Sequence, residues 1–584
     1  MNSPNPSVGE NSRFDASLFW LLTLAVIAAG LATSFSTLFV SLHEYLRLPH
    51  SDEWDMIAHW NSEWRNPNAS WFRLFDQHNE HRIALPRLIF FADLDWFRGA
   101  WYLTFGCLVL IQLLHAVLLS RLISTALVCR AASSLAVVGL VLILMFSALQ
   151  IRNLVWGFQI QFLGVFFFGS MAFYFLLEPP AKKSAFQSLR HSRFLIGILF
   201  CIAATFTMAN GLLVWLVGMM VGIQQRWPLK RIVLFLSFAS VTWVIYFSDF
   251  KFISGHSNPW NELHQFWTLL QYVAVYLGNP ISPFWRDYAM GVGLLGVFAA
   301  GCLSIGFLLD RNQEIYSSRA TQTLLAIVVF IFLTAWVTAL GRIEFGVQQA
   351  TSSRYATPAL IFWISLCTLL LSIKIRSCFL ARGLRYIGTV IGISAVASAI
   401  IFQFKIPEIQ THYAQTRSAA TTSLLSRVYD ASALKHIHPR PPQIMSVVDT
   451  LRENRLSLFS MEIAALIDES LEQSLSIAPR NHCAGHIDQV TDLASDRNGF
   501  RLRGWAIDRT RDKPADQIIF VSEGLIRGVA FSGVERKDVE KHYPGIKRSG
   551  WFGYARVTPG AMVQAYALIH DNQSACLLNG RYRR

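Results

Sequence analysis

Long apolar blocks, almost free of charge, alternate with polar stretches as far as Phe402, and beyond it the pattern changes. The blocks fall at 17–40, 100–124, 131–149, 159–177, 194–208, 211–223, 232–247, 288–309, 321–340, 358–373 and 386–402. A bilayer core takes about 20 apolar residues per helix, so this pattern predicts a polytopic α-helical membrane protein of about eleven spans. The first block carries no charge. A cleavable signal would have an apolar run of roughly 7–15 residues behind a basic start; here the run is longer and its leader has Arg13 against Glu10 and Asp15.

Inside this pattern, Phe206-Thr-Met-Ala-Asn-Gly211 interrupts an apolar stretch, as expected of two short helices meeting at a turn rather than one very long span. An aromatic segment, 260–277, is expected to lie along the outer membrane interface or to pack as a loop helix on the bundle. After Phe402 the chain is polar and helical through 447–459. The period then shortens to two over 500–507, 517–521, 551–557 and 563–569, the mark of strands. The expected organisation is a cytoplasmic tail 1–16, a transmembrane domain 17–403 with a large first outer loop 41–99, a helical linker 404–482 and a small all-β sandwich 483–584.

Charge sets the expected orientation. The chain is 53% hydrophobic and 15% charged, with a formal net charge of +14. Many of its basic residues lie in short inter-helix loops: Lys182, Lys183, Arg190 and Arg193; Arg226, Lys230 and Arg231; Lys374, Arg376, Arg382 and Arg385. That is the positive-inside pattern, and it argues for membrane lipid rather than nucleic acid as the partner of the charge. From a cytoplasmic N-terminus, all three clusters fall inside and the polar tail falls outside. Cys483 and Cys576 bracket the β-region, and a disulfide between them fits an oxidising compartment.

Three polar clusters are candidates for chemistry. Asp52, Glu53 and Asp55 follow the first span, where carboxylates could serve as a general base or hold a divalent metal; a turn capping a helix that starts near Trp54 is the plainer alternative. In the same loop lie His78, Glu80, His81 and Arg82, suited to an anionic phosphate, or to the solvated face of a loop helix. His78 and His81, three apart, could share a helix face and a metal, though no third ligand stands at a diagnostic spacing. After the ninth block come Arg342, Glu344, Arg354 and Tyr355. Arginines on the outer side gain nothing from the positive-inside rule, so a lipid phosphate, or Glu344 as an ion-pair partner, would account for them. Gly291-Val-Gly-Leu-Leu-Gly296 matches a dinucleotide fingerprint, but it lies within an apolar span and is expected to serve helix packing.

With Asp52-Glu-Trp-Asp55 just after the first span, and with His78-Asn-Glu-His-Arg82 and Gly341-Arg through Ser353-Arg-Tyr355, the chain resembles the GT-C superfamily of integral-membrane glycosyltransferases over about 17–403. The resemblance implies an inverting enzyme of a bacterial inner membrane. It would take a sugar from a polyprenyl-phosphate donor and pass it to an envelope glycan or lipid acceptor on the outer, periplasmic face. Asp52 would be the general base, with Asp55 its alternate and Glu53 beside them, and the cations of the other two clusters would meet the donor phosphate. A divalent metal is neither required nor excluded by it. The tail, with Arg503-Gly-Trp-Ala-Ile-Asp508, Arg536-Lys-Asp-Val539 and Ser549-Gly-Trp-Phe-Gly553, is similar to small β-domains appended to surface-glycan enzymes, as an accessory or docking module. A transporter or flippase for a lipid-linked glycan, and a non-catalytic envelope assembly protein, are the rival readings.

Overall fold

A computed structural model describes residues 7–44, 47–66, 68, 70–178, 187–251, 263–309, 318–372, 378–558 and 560–583. Lys182, Lys183, Lys374 and Arg376 of the basic clusters lie outside the described residues. The chain divides into two compact units. One comprises 1–42, 71–89 and 104–406, and the other 43–70, 90–103 and 407–584.

The first unit is helical. Among the described residues, nine helices are long and apolar enough to cross a membrane: Ser17–His43, Tyr102–Ala126, Ala131–Leu154, Gly157–Leu176, Leu229–Phe247, Arg286–Phe307, Arg319–Phe345, Ser353–Ser372 and Arg382–Gln403. This is the helix content of a multi-pass membrane protein. The first of them exposes Leu18, Phe19, Leu21, Leu22 and Phe35, an apolar surface larger than water tolerates on a soluble chain. The remaining two expected spans are shorter helices, His191–Thr205 and Ala209–Gln224. They meet at the predicted turn, where Trp215 Nε1 donates back to Thr205 Oγ1 at 3.0 Å. A side chain at Gly211 would strike the Ala204 carbonyl at 2.0 Å, so only glycine closes that turn.

Small residues let these helices approach closely. A Cβ on Gly30 would lie 2.6 Å from the Gly139 carbonyl, and one on Gly139 2.7 Å from the Val26 carbonyl. The fingerprint-like glycines behave similarly. Gly293 abuts the Ala274 backbone and Gly296 abuts Phe362 and Trp363, whereas Gly291 is open. Ala274 belongs to the helix Phe266–Leu277, in which Leu269, Tyr272, Val273, Tyr276 and Leu277 are buried. The described part of that aromatic segment is therefore packed on the bundle, as the second of the two expectations had it; residues 260–262 lie outside the described residues. At the end of the last long helix, Gln403 donates to Ser36 Oγ and Thr37 Oγ1 of the first and accepts from the Ala148 amide at 3.0 Å.

The second unit joins parts of the first loop to the polar tail. The segment 404–482 is no free linker, since Leu434, Ile437, Val448, Leu451 and Leu458 are buried. The first loop is tied to it: Ser51 N–H donates to the Ile437 carbonyl at 2.6 Å, and Ser457 N–H to the Arg98 carbonyl at 2.7 Å. Both Trp60 and Trp64 donate to the Asp95 carboxylate, at 2.9 and 3.2 Å.

Beyond this segment lie strands β1 (Ser476–Ala478), β2 (Cys483–Leu493), β3 (Asp496–Asp508), β4 (Lys513–Pro514), β5 (Gln517–Ser522), β6 (Leu525–Val534), β7 (Gly550–Arg556), β8 (Met562–Ile569) and β9 (Ser574–Arg583). The expectation of a sandwich is corrected here. The strands form one sheet in the order β1-β9-β2-β3-β7-β6-β5-β8, with β4 paired to β3 off this path, and β8 pairs with β9 to close it into a barrel. Alternation along a strand tells inside from outside but not whether the sheet closes, so sequence alone did not separate the two. Inward residues Phe500, Leu502, Ile518, Phe520, Trp551 and Val563 fill the core.

The seam between β2 and β9 is parallel and holds a single ladder pair, His486 with Asn579. Cys483 and Cys576, the first residue of β2 and an early residue of β9, are disulfide-bonded across it.

Asp430 fastens the helical segment to the barrel. Its carboxylate accepts from Ser432 N–H at 2.9 Å, Tyr554 Oη at 2.7 Å and Arg501 at 2.5 Å. Burial raises its proton affinity, but the Ser432, Arg501 and Tyr554 hydrogen bonds outweigh it and hold the pKa down to about 2. A carboxylate with a folded pKa below its unfolded value near 3.8 stabilises above that value and loses the contribution as pH falls toward 2. Asp430→Asn is expected to remove about 2 kcal/mol at pH 7. It should also flatten the fall in unfolding temperature between pH 4 and pH 2; an unchanged acid profile in the variant would contradict this.

Candidate functional site

In the helical unit, the polar turn of the first loop is held from several sides. His78 and His81 do not share a helix face. They pair across a tight turn, His78 N–H to the His81 carbonyl at 2.7 Å and His81 N–H to the His78 carbonyl at 2.9 Å, with Asn79 at φ +49° between them. Asparagine tolerates that left-handed conformation better than most residues. The His78 ring lies 5.3 Å from that of Phe158.

Arg82 is the clamp of this turn. Buried, it donates through Nε to the Tyr246 carbonyl at 2.5 Å, through one terminal nitrogen to the Phe75 carbonyl at 2.6 Å and through the other to the Ser248 carbonyl. In return, Tyr246 Oη donates to the Glu80 carbonyl at 2.8 Å. The guanidinium expected to face a phosphate is thus committed to backbone. Arg87, also buried, binds the Leu74 and Asp76 carbonyls at 2.6 and 2.8 Å; burial lowers its pKa to about 10, against the pull of Asp76. Arg82→Gln is expected to cost at least roughly 2 kcal/mol and to expose 73–83 to protease in the folded protein. Cleavage at the wild-type rate would count against the clamp.

The second arginine cluster reaches the same turn. Arg342 lies 3.9 Å from Glu80, both about a third exposed, and its guanidinium is 5.8 Å from the Phe345 ring centre. Arg354 is half-buried, donates from Nε to Ser352 Oγ at 3.3 Å and sits over the ring of Tyr355. Tyr355 itself is core: its hydroxyl donates to Gln349 at 3.2 Å and its ring lies 4.7 Å from Tyr276. Tyr272 donates to the same Gln349 oxygen, and burial, then Tyr355, raises its pKa.

The segment 147–161, of which the sequence placed 147–149 and 159–161 in apolar blocks and singled out nothing, gathers buried amides. Asn153 donates to the Arg354 carbonyl at 3.0 Å and to Thr357 Oγ1 at 2.8 Å, and Thr357 donates to Gln150 at 2.6 Å. Among the described residues, the fully buried Gln159 has no hydrogen-bond partner for either amide atom, and Asn153 and Gln161 each leave an oxygen unpaired. Buried polar atoms are rarely left so, and three amides in nine residues would have been the sequence signal.

In the second unit, the acidic motif opens the helix Glu53–His59. Asp52 occupies the N-cap position, half-buried, without a side-chain cap bond. Glu53 is buried, and its carboxylate accepts from His50 N–H at 2.8 Å, a structural task. Asp52 and Asp55 each present a carboxylate oxygen within 4.8 Å of the other. Asp55 is exposed at the surface; partial desolvation of its carboxyl raises its pKa, while His438 and Arg440 act to lower it. A pair so spaced fits one hard divalent cation, whose ligand oxygens stand about 2.0–2.6 Å from the metal.

Comparison with family models, with curated proteins and with solved structures finds no match to this chain.

Proposed function

We propose that the protein is an inverting membrane glycosyltransferase, taking a sugar from a polyprenyl-phosphate donor to an envelope glycan or lipid acceptor on the outer face of a bacterial inner membrane. The observation that carries this reading is the Asp52–Asp55 pair opening the helix that follows the first apolar helix, with the two carboxylates close enough to act on one group. In the reaction, Asp52 takes the proton of an acceptor hydroxyl as its oxygen bonds to the anomeric carbon, and the bond to the phosphate oxygen breaks with its electron pair leaving on the phosphate. Attack opposite the leaving group inverts the centre. Arg342 and Arg354 are the cations of the helical unit assigned to the lipid phosphate; Arg82, committed to carbonyls, is assigned to the fold. A divalent cation, when bound by the acidic pair, would supply charge neutralisation.

The disulfide supports an oxidising, periplasmic site for the barrel. The unpaired amides of 153–161 favour a second reading, a carrier for lipid-linked glycan, since polar groups inside spans mark transport paths. Purified protein in vesicles, given radiolabelled polyprenyl-phosphate sugar and an envelope extract, separates the two. Label covalently joined to glycan supports the enzyme, and label moved across the bilayer without transfer supports the carrier.

A further inference from the structure

The barrel's outer face over β3, β7 and β6 is only partly covered. Register pairs Arg501 with Tyr554, Arg503 with Phe552 and Phe552 with Phe531 on the outward side, opposite the inward Leu502 and Trp551. One half of this face is occupied: Tyr554 is buried with Val428 and Ala433, and Ser426 Oγ accepts from Val529 N–H at 3.1 Å. The other half opens into a cleft of about 580 Å³ whose walls include Arg503, Phe552 and Phe531 from the barrel and Gln415, Thr416 and His436 from the helical segment. That volume lies within the roughly 300–1,000 Å³ usual for small-ligand sites.

Charge in the cleft is unbalanced at one residue. Arg501 is paired with Asp430, and Arg536 with Asp488 and Asp538. Arg503 is exposed and has no carboxylate partner among the described residues; its guanidinium stands 5.3 Å from the Phe552 ring centre. The cleft thus offers a cation without a carboxylate partner and half-buried aromatic rings, with Gln415, Thr416 and Gln489 among the residues around them. Amides and hydroxyls both donate and accept, which suits a ligand rich in hydroxyls. Aromatic faces suit the apolar face of a sugar ring, and a guanidinium suits a carboxylate or phosphate.

We propose that this cleft binds an acidic saccharide, with a sugar ring on Phe552 and its anionic group on Arg503. The inference needs only the barrel and its covering helix, so it holds or fails independently of the transfer reaction. The test is calorimetric titration of the full-length protein in lipid nanodiscs. The probes are a hexagalacturonate, a phosphorylated oligomannose, the neutral counterparts of both, and a hexaglutamate peptide. At least one acidic saccharide is expected to bind roughly tenfold or more tightly than its neutral counterpart, and which one does identifies the anion as carboxylate or phosphate. Arg503→Gln is expected to remove that preference and Arg503→Lys to keep part of it. Phe552→Leu should weaken acidic and neutral forms alike. Arg503 is exposed, so unchanged circular dichroism and an intact disulfide will establish that its variants fold. Absence of saccharide binding, equal affinity for neutral forms, an unaffected Arg503→Gln variant, or equal binding of hexaglutamate would each overturn the proposal.

Discussion

Asp52→Asn is expected to lower sugar transfer roughly 100- to 10,000-fold, the usual contribution of a general base, while leaving the unfolding temperature unchanged. The exchange keeps shape and the oxygen that accepts from Ser51 Oγ at 3.4 Å, and it takes away the proton acceptor at a half-buried position. Glu53→Gln serves as the contrast. Its carboxylate is buried on the His50 amide, so its loss should appear in thermal stability before it appears in rate. Asp55→Asn should retain more transfer than Asp52→Asn if Asp55 is the alternate rather than the base. The measurement is initial rate of label transfer in vesicles at several pH values. Wild-type rates in Asp52→Asn would end the assignment of Asp52 as base.

Removing the disulfide is the change expected to weigh most on stability. The bridge closes a loop with a sequence separation of 93 residues, for which chain entropy gives about 4–5 kcal/mol. It also crosses the seam with the fewest ladder bonds, so its loss should act there first. Cys483→Ser with Cys576→Ser in the full chain, or reductant on the wild type, should speed hydrogen exchange over 483–493 and 574–583. The apolar helices should exchange as before. Equal exchange in the variant would show that the seam holds without the bond.

Much of this architecture is legible in residue pattern because membranes impose it. Uninterrupted apolar length read out the nine long helices, and the polar break at 206–211 read out the hairpin of two short ones. The barrel was harder. β3, β5, β7 and β8 were visible through alternation, while β2 runs through mostly polar positions, with His486, Asp488, Gln489, Thr491 and Asp492 along it. In the candidate site, the acidic pair was found because its position follows directly from the first span. The task of Arg82 was not legible, since two of the carbonyls it binds belong to Tyr246 and Ser248, more than 160 residues downstream. A side chain suited to phosphate is equally suited to bare carbonyls, and only the fold decides between them. Tyr355 misled for a similar reason, its neighbours Tyr272 and Tyr276 arriving from another helix.

Strand β9 runs between β8 on one side and β1 and β2 on the other, joining the earliest strands to the latest. Until residues 574–583 arrive, β2 and β8 each present an unmet edge, and Cys483 has no thiol within the domain to react with. The domain therefore cannot mature strand by strand as it emerges. It must wait, with its sticky borders shielded, for its final segment to slot home, and contacts of such long range close slowly. The covalent lock between Cys483 and Cys576 can be set only once that segment is in place.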